Sequence, residues 1–191
     1  HREIVRAPSI RLTGEENSTF SLFKVTIGNR FHWERTEDHS VKVDLILRLR
    51  KDGTICAINE ISLEEYLKSV ISSEMSTTAP IEFLEAHAIL SRSWLLAALD
   101  RKDKVKDTPK LTELPIQKEG EVICWYDRED HDLFDVCSDD HCQRYQGVTK
   151  ILSKQAEEAV LETCGMVIVY QDEICDARYS KACGGLTEDF A

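Results

Sequence analysis

The sequence predicts an α+β fold, in which a small β-rich beginning precedes a helical core packed with β-hairpins. Three observations predict it. The first sixty residues alternate apolar and polar side chains with the period of two that is typical of strands. Two long helical patterns follow each other after residue 62, and a short strand pair lies near the end. With 42% hydrophobic residues among 191, the chain can bury a core of its own.

Residues 1–57 are expected to form the β-rich N-terminal segment. The stretch VKVDLILRLR, residues 41–50, places alternate apolar residues on one face, KDG gives a turn, and TICAINEI returns as the second strand of a hairpin. The upstream stretches TFSLFKVTIG and RFHWER are further strand candidates.

Residues 58–191 are expected to form a second unit that begins with two adjacent helices. The first should run from Leu63 to about Met75, because Ser62 and Glu65 have the spacing of a capping box. The second should run from Ile81 to about Leu99 after a proline suited to a first turn. It is apolar around most of its circumference, which predicts a central position in the core.

A charged stretch with two prolines, at about 100–120, is expected to be an exposed loop. A third helix should run from Ser153 to about Thr163, with Gly165 at its C-terminal cap. The stretches MVIVY and ICDARYS should then pair as strands around QDE.

The charge balance excludes one class of partner. The net charge of −11 argues against nucleic acid, because proteins that bind it need a basic face to displace counterions from phosphates. No apolar run approaches the roughly 20 residues that cross a bilayer, so we expect no transmembrane segment. No charged and then apolar signal segment opens the chain at His1, and any leader is therefore expected to be absent from it.

One acidic residue falls where the helical pattern predicts an apolar one. Counting from Leu63 in steps of three and four residues gives a single apolar helix face, and the next position on that face is Glu74. A carboxylate that loses water there has its pKa raised, which suits a general acid that works near neutral pH. The alternative is that the helix ends a turn early and Glu74 lies in water.

Four potential metal ligands lie within twelve residues: His131, Cys137, His141 and Cys142. Two thiolates and two imidazoles satisfy the tetrahedral preference of zinc, so the sequence predicts a zinc site. If all four residues bind, the ion is structural, whereas a set of three leaves a position for a reactive water. The spacing fits no standard zinc finger, and ordinary surface histidines with two inert cysteines are the alternative.

The order and spacing of five stretches resemble a known family. LEEYLKSVISSEM, APIEFLEAHAILSRSWLL, DVCSDDHCQRYQG, AVLETCGMVIVY and ARYSKACGGLTE are similar to the family of stage II sporulation protein D (SpoIID), which includes amidase-enhancer proteins. The resemblance covers most of residues 58–190. Because the chain ends directly after the last motif, a downstream portion of the family's domain is expected to lie beyond Ala191.

The resemblance implies a peptidoglycan lytic transglycosylase, a lyase that cleaves the bond between N-acetylmuramic acid and N-acetylglucosamine. Its catalytic residue is the glutamate that ends the first helix, which is Glu74 here. One carboxylate is enough, because the muramic acid's own C6 hydroxyl attacks and leaves a 1,6-anhydro ring, whereas ordinary glycosidases use two. A non-catalytic wall-binding protein that stimulates an amidase is the alternative.

The resemblance also marks further positions in or near a cleft. Tyr145 could stack on a sugar, although a packed tyrosine is the stronger expectation. Arg92 could face a sugar or an ion partner, and a structural role is an equally strong expectation for it. The family positions implied to bind substrate are Arg92, Gln143, Tyr145, Ser180, Gly184 and Gly185. His87 stands where the family commonly has glutamine. Because peptidoglycan lies outside the cytoplasmic membrane, we expect an extracytoplasmic protein, periplasmic or at the cell surface.

Overall fold

The computed structural model describes most of the chain, and every structural statement below concerns that part. The described residues are 7–15, 18–28, 32–76, 78–105, 116–118, 121–123, 131–139, 141–151, 153–180 and 184–185. They contain three α-helices and several small antiparallel sheets, with the strands concentrated in the first sixty residues. The α+β prediction is therefore confirmed. The division of the chain at residue 57 stays a prediction.

The N-terminal strands form two separate sheets. Strands β1 (Ser9–Thr13), β4 (Asp44–Leu49) and β5 (Ile55–Glu60) make a three-stranded sheet with β4 in the middle. Strands β2 (Thr19–Ile27) and β3 (Arg35–Lys42) make a two-stranded sheet. The predicted hairpin around KDG is confirmed as β4 and β5, which pair from Asp44 opposite Glu60 to Leu49 opposite Ile55.

Two strand predictions in this region were wrong in detail. Residues 41–50 do not form one strand, because Val43 has a φ of 67° and separates β3 from β4. This left-handed conformation is uncommon for a β-branched residue, and it turns the chain from one sheet into the other. The stretch RFHWER is not a strand where it is described, since His32 and Trp33 lie in a turn and β3 begins at Arg35.

The helices agree closely with their predicted starts. Helix α1 spans Leu63–Glu74, and Ser62 caps it by accepting a hydrogen bond of 3.4 Å from the Glu65 amide. Helix α2 spans Ile81–Val105, and helix α3 spans Lys154–Glu162 with Ser153 as its N-cap. Gly165 has the positive φ of 75° that a C-terminal cap requires.

Helix α2 is longer than predicted, since it includes the first residues of the charged stretch at 100–120. Two contacts support this end of the helix: Arg101 forms an ion pair of 3.1 Å with Asp176, and Lys102 donates to the carbonyl of Phe134 at 2.9 Å. Strands β6 (Ile116–Lys118) and β7 (Glu121–Ile123) form a small hairpin further along. The rest of the predicted loop, 106–115 and 119–120, lies outside the described residues.

The core lies where the three helices meet the N-terminal sheets. A 3-10 turn, Val148–Lys150, precedes α3, and strands β8 (Val169–Tyr170) and β9 (Glu173–Ile174) form the predicted final hairpin. The buried apolar cluster is Val41, Leu45, Tyr66, Leu67, Val70, Ile71, Leu84, Ala88, Trp94, Leu95, Tyr145, Ala156, Ala159 and Val160. Helices α1 and α2 thus contribute most of the core, as their apolar patterns predicted. None of the described helices is both long and apolar enough to span a membrane.

Candidate functional site: a carboxylate in a polar cleft

Glu74 is the last residue of α1 and continues the helix's buried face. Leu67, Val70 and Ile71 on that face have no solvent exposure, whereas the Glu74 side chain is 17% exposed. The carboxylate therefore follows the core residues of α1 and lies at the boundary between core and solvent.

Three groups surround the Glu74 carboxylate. The backbone amide of Arg144 donates to Oε1 at 2.8 Å, and the Tyr179 hydroxyl donates to Oε2 at 2.5 Å. His87 of α2 places Nε2 3.5 Å from the same Oε2, at the outer limit of a hydrogen bond. The carboxylate is thus held from three separate parts of the chain.

The direction of the Tyr179 hydroxyl is fixed by its other partners. Ser91 Oγ and Gln143 Nε2 both donate to the Tyr179 oxygen at 3.3 Å. A phenolic hydroxyl has one proton to give, and two donors on its oxygen leave that proton free to go to Glu74. Burial, followed by the nearby charge of Glu74, raises the pKa of Tyr179, so the hydroxyl stays protonated and remains a donor.

The pKa of Glu74 shifts in the direction opposite to that expected from the sequence. Burial is the largest influence and raises the pKa, as predicted. The close approach of His87 and the hydrogen bonds from Tyr179 and the Arg144 amide together outweigh burial, and the net pKa of Glu74 lies below its ordinary value. The expectation of a raised pKa was therefore wrong, because the pattern of one helix does not show which donors other segments supply.

Glu74 opens into a cleft of about 270 Å³. Its lining is polar and aromatic, and it comprises Glu74, Trp94, His141, Cys142, Gln143, Arg178 and Tyr179. Clefts of this kind, with a few convergent polar groups around a titratable side chain, are where ligands commonly bind. Among the described residues of this lining, Glu74 is the single carboxylate.

The segment that carries Gln143 and Arg144 is anchored from two sides. From α1, the buried hydroxyl of Ser69 donates to the Gly147 carbonyl at 2.7 Å and accepts from the Gln146 amide at 3.1 Å. From β3, Ser40 forms a bridge with Gly147. Gly147 has a φ of 61°, and an added Cβ would lie 2.1 Å from the Ser40 carbonyl oxygen, so this approach requires glycine.

The four predicted metal ligands lie together at one side of this cleft. One ligand atom from each of His131, Cys137, His141 and Cys142 can be chosen so that all four lie within 4.8 Å of one another. Cys142 Sγ is 3.4 Å from His131 Nε2 and 3.4 Å from His141 Nδ1. Without a metal, hydrogen bonding to Cys142 and burial raise the pKa of Cys137 to about 12. Because Cys142 Sγ lies close to a nitrogen of both histidines, the adjacent His141 and Cys142 can both face one point.

Arg92, which the resemblance placed at the substrate, lies away from the cleft lining. It is fully buried, and its guanidinium donates to the Glu64 carboxylate at 3.0 and 2.7 Å. It also donates to the carbonyls of Met166 at 3.0 Å and Val160 at 3.3 Å. These contacts join α1, α2 and the end of α3, and we assign Arg92 a structural role.

Gln143 and Tyr145 occupy different environments. Gln143 lines the cleft, accepts from the Tyr66 hydroxyl at 3.2 Å and donates to the Ser91 carbonyl at 3.2 Å. Tyr145 stacks on Tyr66 with ring centroids 5.3 Å apart and donates to Asn59 Oδ1. Tyr145 thus packs in the core, as the stronger of the two expectations had it.

The remaining predicted site residues follow β9. Ser180 is exposed, and its neighbour Tyr179 is the residue of this segment that contacts Glu74. Gly184 and Gly185 form a turn with φ values of 67° and 93°, as their sequence suggested. The residues on either side of these glycines, including Cys183, lie outside the described part of the chain.

Sequence reasoning did not assign a site role to Tyr179, His87 or Arg144. Tyr179 and Glu74 lie 105 positions apart and share no periodic pattern, so nothing local signals their contact. Arg144 acts through its backbone amide, which leaves no trace in residue type. His87 stands where the family commonly has glutamine, so it is the one of the three that residue type could have indicated.

This fold and cleft occur in a chain that matches the family model of stage II sporulation protein, SpoIID, over residues 51–170. The chain belongs to this family, which confirms the resemblance and indicates a role at the cell wall. The family is associated with peptidoglycan lytic activity.

A relative lies in Brachyspira hyodysenteriae, an uncharacterised protein that is 27% identical over 137 residues, or 72% of this chain. The chain covers 30% of that relative's length. No solved structure gives a significant match.

Proposed function

We propose that this chain is a peptidoglycan lytic transglycosylase whose general acid and base is Glu74. The observation that supports this most directly is the position of Glu74: a largely buried carboxylate at the edge of a polar cleft, held by the Arg144 amide and the Tyr179 hydroxyl. Such fixed donors hold a reacting group in one orientation before the substrate arrives.

The proposed reaction needs one carboxyl group. Glu74 gives a proton to the glycosidic oxygen as the bond from that oxygen to the anomeric carbon breaks. The C6 hydroxyl of the same muramic acid forms the new bond to the anomeric carbon, and the Glu74 carboxylate accepts the hydroxyl proton. Protons balance, and no water is consumed. Glu74 is the single carboxylate that the described part of the chain contributes to the cleft lining, which is consistent with this route, since hydrolysis by two carboxyl groups would use a second one.

Other cleft residues would bind and orient the glycan. The Trp94 and Tyr179 rings can contact the apolar faces of sugars, while Gln143 and Arg178 offer donors to hydroxyl or carboxylate oxygens. Glycan strands of peptidoglycan are the proposed substrate, and the protein is proposed to act outside the cytoplasm, where this polymer lies. A cell-wall amidase remains a proposed partner.

We also propose that the four-residue cluster binds zinc. The donor set fits, since two thiolates and two imidazoles complete a tetrahedral zinc site, and the ligand atoms already lie within 4.8 Å of one another. A closed set of this kind serves structure, because it leaves no open position for water. The ion would tie His131 to the segment 137–142, which directly precedes the residues that hold Glu74.

The catalytic proposal is tested with Glu74→Gln, which keeps the side-chain shape and removes the transferable proton. Purified glycan strands are digested with wild type and variant, and the anhydro-ended products are counted by mass spectrometry. We expect the variant to lose about 10²–10⁴-fold in rate. The matched control is Glu158→Gln, an exposed glutamate of α3, which should cleave like wild type.

Two outcomes would overturn this assignment. Equal yields from wild type and Glu74→Gln would remove Glu74 from the chemistry. Wild-type protein that binds glycan strands and stimulates an amidase, without making anhydro ends itself, would favour the non-catalytic enhancer.

The zinc proposal is tested by elemental analysis of the purified chain. Wild type should carry roughly one zinc per chain, and Cys137→Ser should lose it. Cys164→Ser removes an exposed cysteine outside the cluster and should keep the ion. Wild-type protein purified without chelator that holds no zinc would end this proposal.

A further inference from the structure

His87 is a buried histidine for which the structure supplies no well-formed hydrogen bond. It lies in the second turn of α2 and is 3% exposed. Neither Nδ1 nor Nε2 has a well-formed partner among the described residues. A buried polar group without a partner is destabilising, so a histidine in this position calls for a reason.

Among the described contacts of His87, one is with a charged group. From α1, the Glu74 carboxylate comes within 3.5 Å of Nε2. From the segment after β9, the Tyr179 ring meets the imidazole edge to face, with centroids 4.9 Å apart. From α2 itself, Phe83 lies 6.4 Å away between centroids. The nearby arginines are engaged elsewhere: Arg144 lies over the Trp33 ring and Arg178 pairs with Asp176.

His141 and Cys142, which are proposed to bind zinc, line the same cleft as Glu74, but no described contact of His131 or His141 is with His87. The described contacts of His131 and His141 are with one another, with Phe134 and with the two cysteines of the cluster. The exchange considered below therefore involves His87 and the Glu74 carboxyl, with Tyr179 as a fixed neighbour.

We propose that His87 is a positioning residue that shares one proton with Glu74, so that imidazole and carboxyl together form the acid that cleaves the glycan. The proposal rests on the function proposed for Glu74. It also gives the buried histidine a partner, because Nε2 faces the Glu74 carboxylate and a protonated imidazole adds charge-assisted attraction to that contact.

The shared proton resolves a conflict in the site. The pKa of Glu74 lies below its ordinary value, and His87 is the largest of the influences that lower it, so at neutral pH the carboxyl group of this pair has lost its proton and needs a neighbour that returns one. Imidazole is the side chain whose charge ordinarily changes between pH 5 and 8. Two strongly interacting groups titrate as a pair, so a proton resting on the imidazole is still available to the carboxyl group.

The proton balance of the cycle closes. The proton moves from Nε2 of His87 to the Glu74 carboxyl group, which passes it to the glycosidic oxygen. The carboxylate then accepts the proton of the attacking C6 hydroxyl, and the pair again holds one proton. His87 touches no substrate atom in this scheme and acts only through Glu74.

The first test is independent of catalysis. The titration midpoint of the His87 ring is followed by nuclear magnetic resonance in wild type and in Glu74→Gln. We expect the midpoint to fall by about one pH unit or more in the variant, because the neutral amide no longer stabilises the imidazolium. His39, another buried histidine with an unpaired Nε2 but on β3, is the control and should keep its midpoint. An unchanged His87 midpoint would overturn the proposal, whether or not the chain cleaves glycan.

The second test reads the pH dependence of cleavage. His87→Gln keeps a hydrogen-bond donor of similar reach but cannot exchange a proton, so the alkaline limb of the rate profile should move to lower pH by about one to two units. His39→Gln should leave the limb in place. Coincident limbs in wild type and His87→Gln would reject the shared proton while leaving Glu74 as the acid. Absence of wild-type cleavage would instead reject the proposed function, and the resonance measurement would still decide the pairing.

Discussion

Helix α1 carries a carboxylate at each end, and α2 brings a basic side chain to both, yet the two contacts are built differently. At the start of α1, Glu64 receives two hydrogen bonds from Arg92, whose remaining donors are used by backbone carbonyls. At the end of α1, Glu74 meets His87 at 3.5 Å beside a cleft. The same pair of helices thus makes a closed contact at Glu64, in which each guanidinium nitrogen of Arg92 donates, and an open contact at Glu74, which keeps capacity for chemistry.

The closed contact should matter most for stability. In Glu64→Gln the buried Arg92 guanidinium loses its counter-charge, and we expect the free energy of unfolding to fall by about 3–5 kcal/mol. Urea unfolding measures the change. The exposed Glu158→Gln should stay within about 0.5 kcal/mol of wild type. Equal stability of Glu64→Gln and wild type would show that the two contacts do not differ in the way described.

The segment that carries Gln146 and Gly147 lies beside the open contact and is anchored by Ser69. Removing this anchor should lower the stability more than a substitution in an exposed segment does. Ser69→Ala removes the hydroxyl that bonds to both Gly147 and Gln146, and two buried backbone groups lose their partner. We expect a loss of about 2 kcal/mol in the free energy of unfolding. Ser180→Ala, at an exposed serine, serves as the control. A Ser69→Ala protein as stable as Ser180→Ala would mean that this hydroxyl does not anchor the loop.

Tyr179→Phe should change the activity that depends on Glu74 and leave the contact between Arg92 and Glu64 intact. The variant loses the donor to Glu74 Oε2 and keeps the ring against His87. We expect glycan cleavage to slow about tenfold, which corresponds to about 1.4 kcal/mol in the barrier. The pKa of Glu74 should rise, because the Tyr179 hydrogen bond lowers it. Tyr170→Phe, at an exposed tyrosine, should cleave at the wild-type rate, and equal rates for both variants would contradict the assignment.

The smallest expected effect is the contribution of Glu74 to the pH dependence of stability. The pKa of Glu74 is lower in the folded chain than its ordinary value of 4.5, so the unfolded chain takes up this proton first as the pH falls. The stabilisation from the Glu74 carboxylate is present at pH values above 4.5, its ordinary pKa, and is lost as the pH drops through the pKa that it has in the folded chain. Between about pH 6 and pH 3, wild type should therefore lose more stability than Glu74→Gln. Parallel curves in urea unfolding at several pH values would contradict the lowered pKa.

Features that depend on short-range patterns could be predicted from the sequence. The inward face of α1, the capping by Ser62 and Ser153 and the turn at KDG all follow from spacing within one or two turns of chain. The His/Cys cluster was visible for the same reason, because its four members lie within twelve residues. These predictions required no knowledge of which segments meet in space.

Features that depend on distant segments could not be predicted. Val43 continues the alternating pattern in sequence but takes a left-handed conformation, because its neighbours belong to different sheets. The charged residues after Leu99 suggested a loop, whereas contacts to Asp176 and Phe134 hold them in a helix. The sign of the Glu74 pKa shift depends on donors from three other segments, and no local rule supplies them.

The hairpin of β4 and β5 has a practical meaning for anyone who shortens this chain. The family match begins at residue 51, inside the turn that joins these strands. A fragment cut at that boundary would lose β4 and leave β5 with a row of unpaired amides and carbonyls, which invites pairing with another molecule. It would also lose Val41 and Leu45 from the buried apolar cluster. The family match and the part of the chain that folds as a unit therefore begin at different residues. Expression fragments should begin before β1.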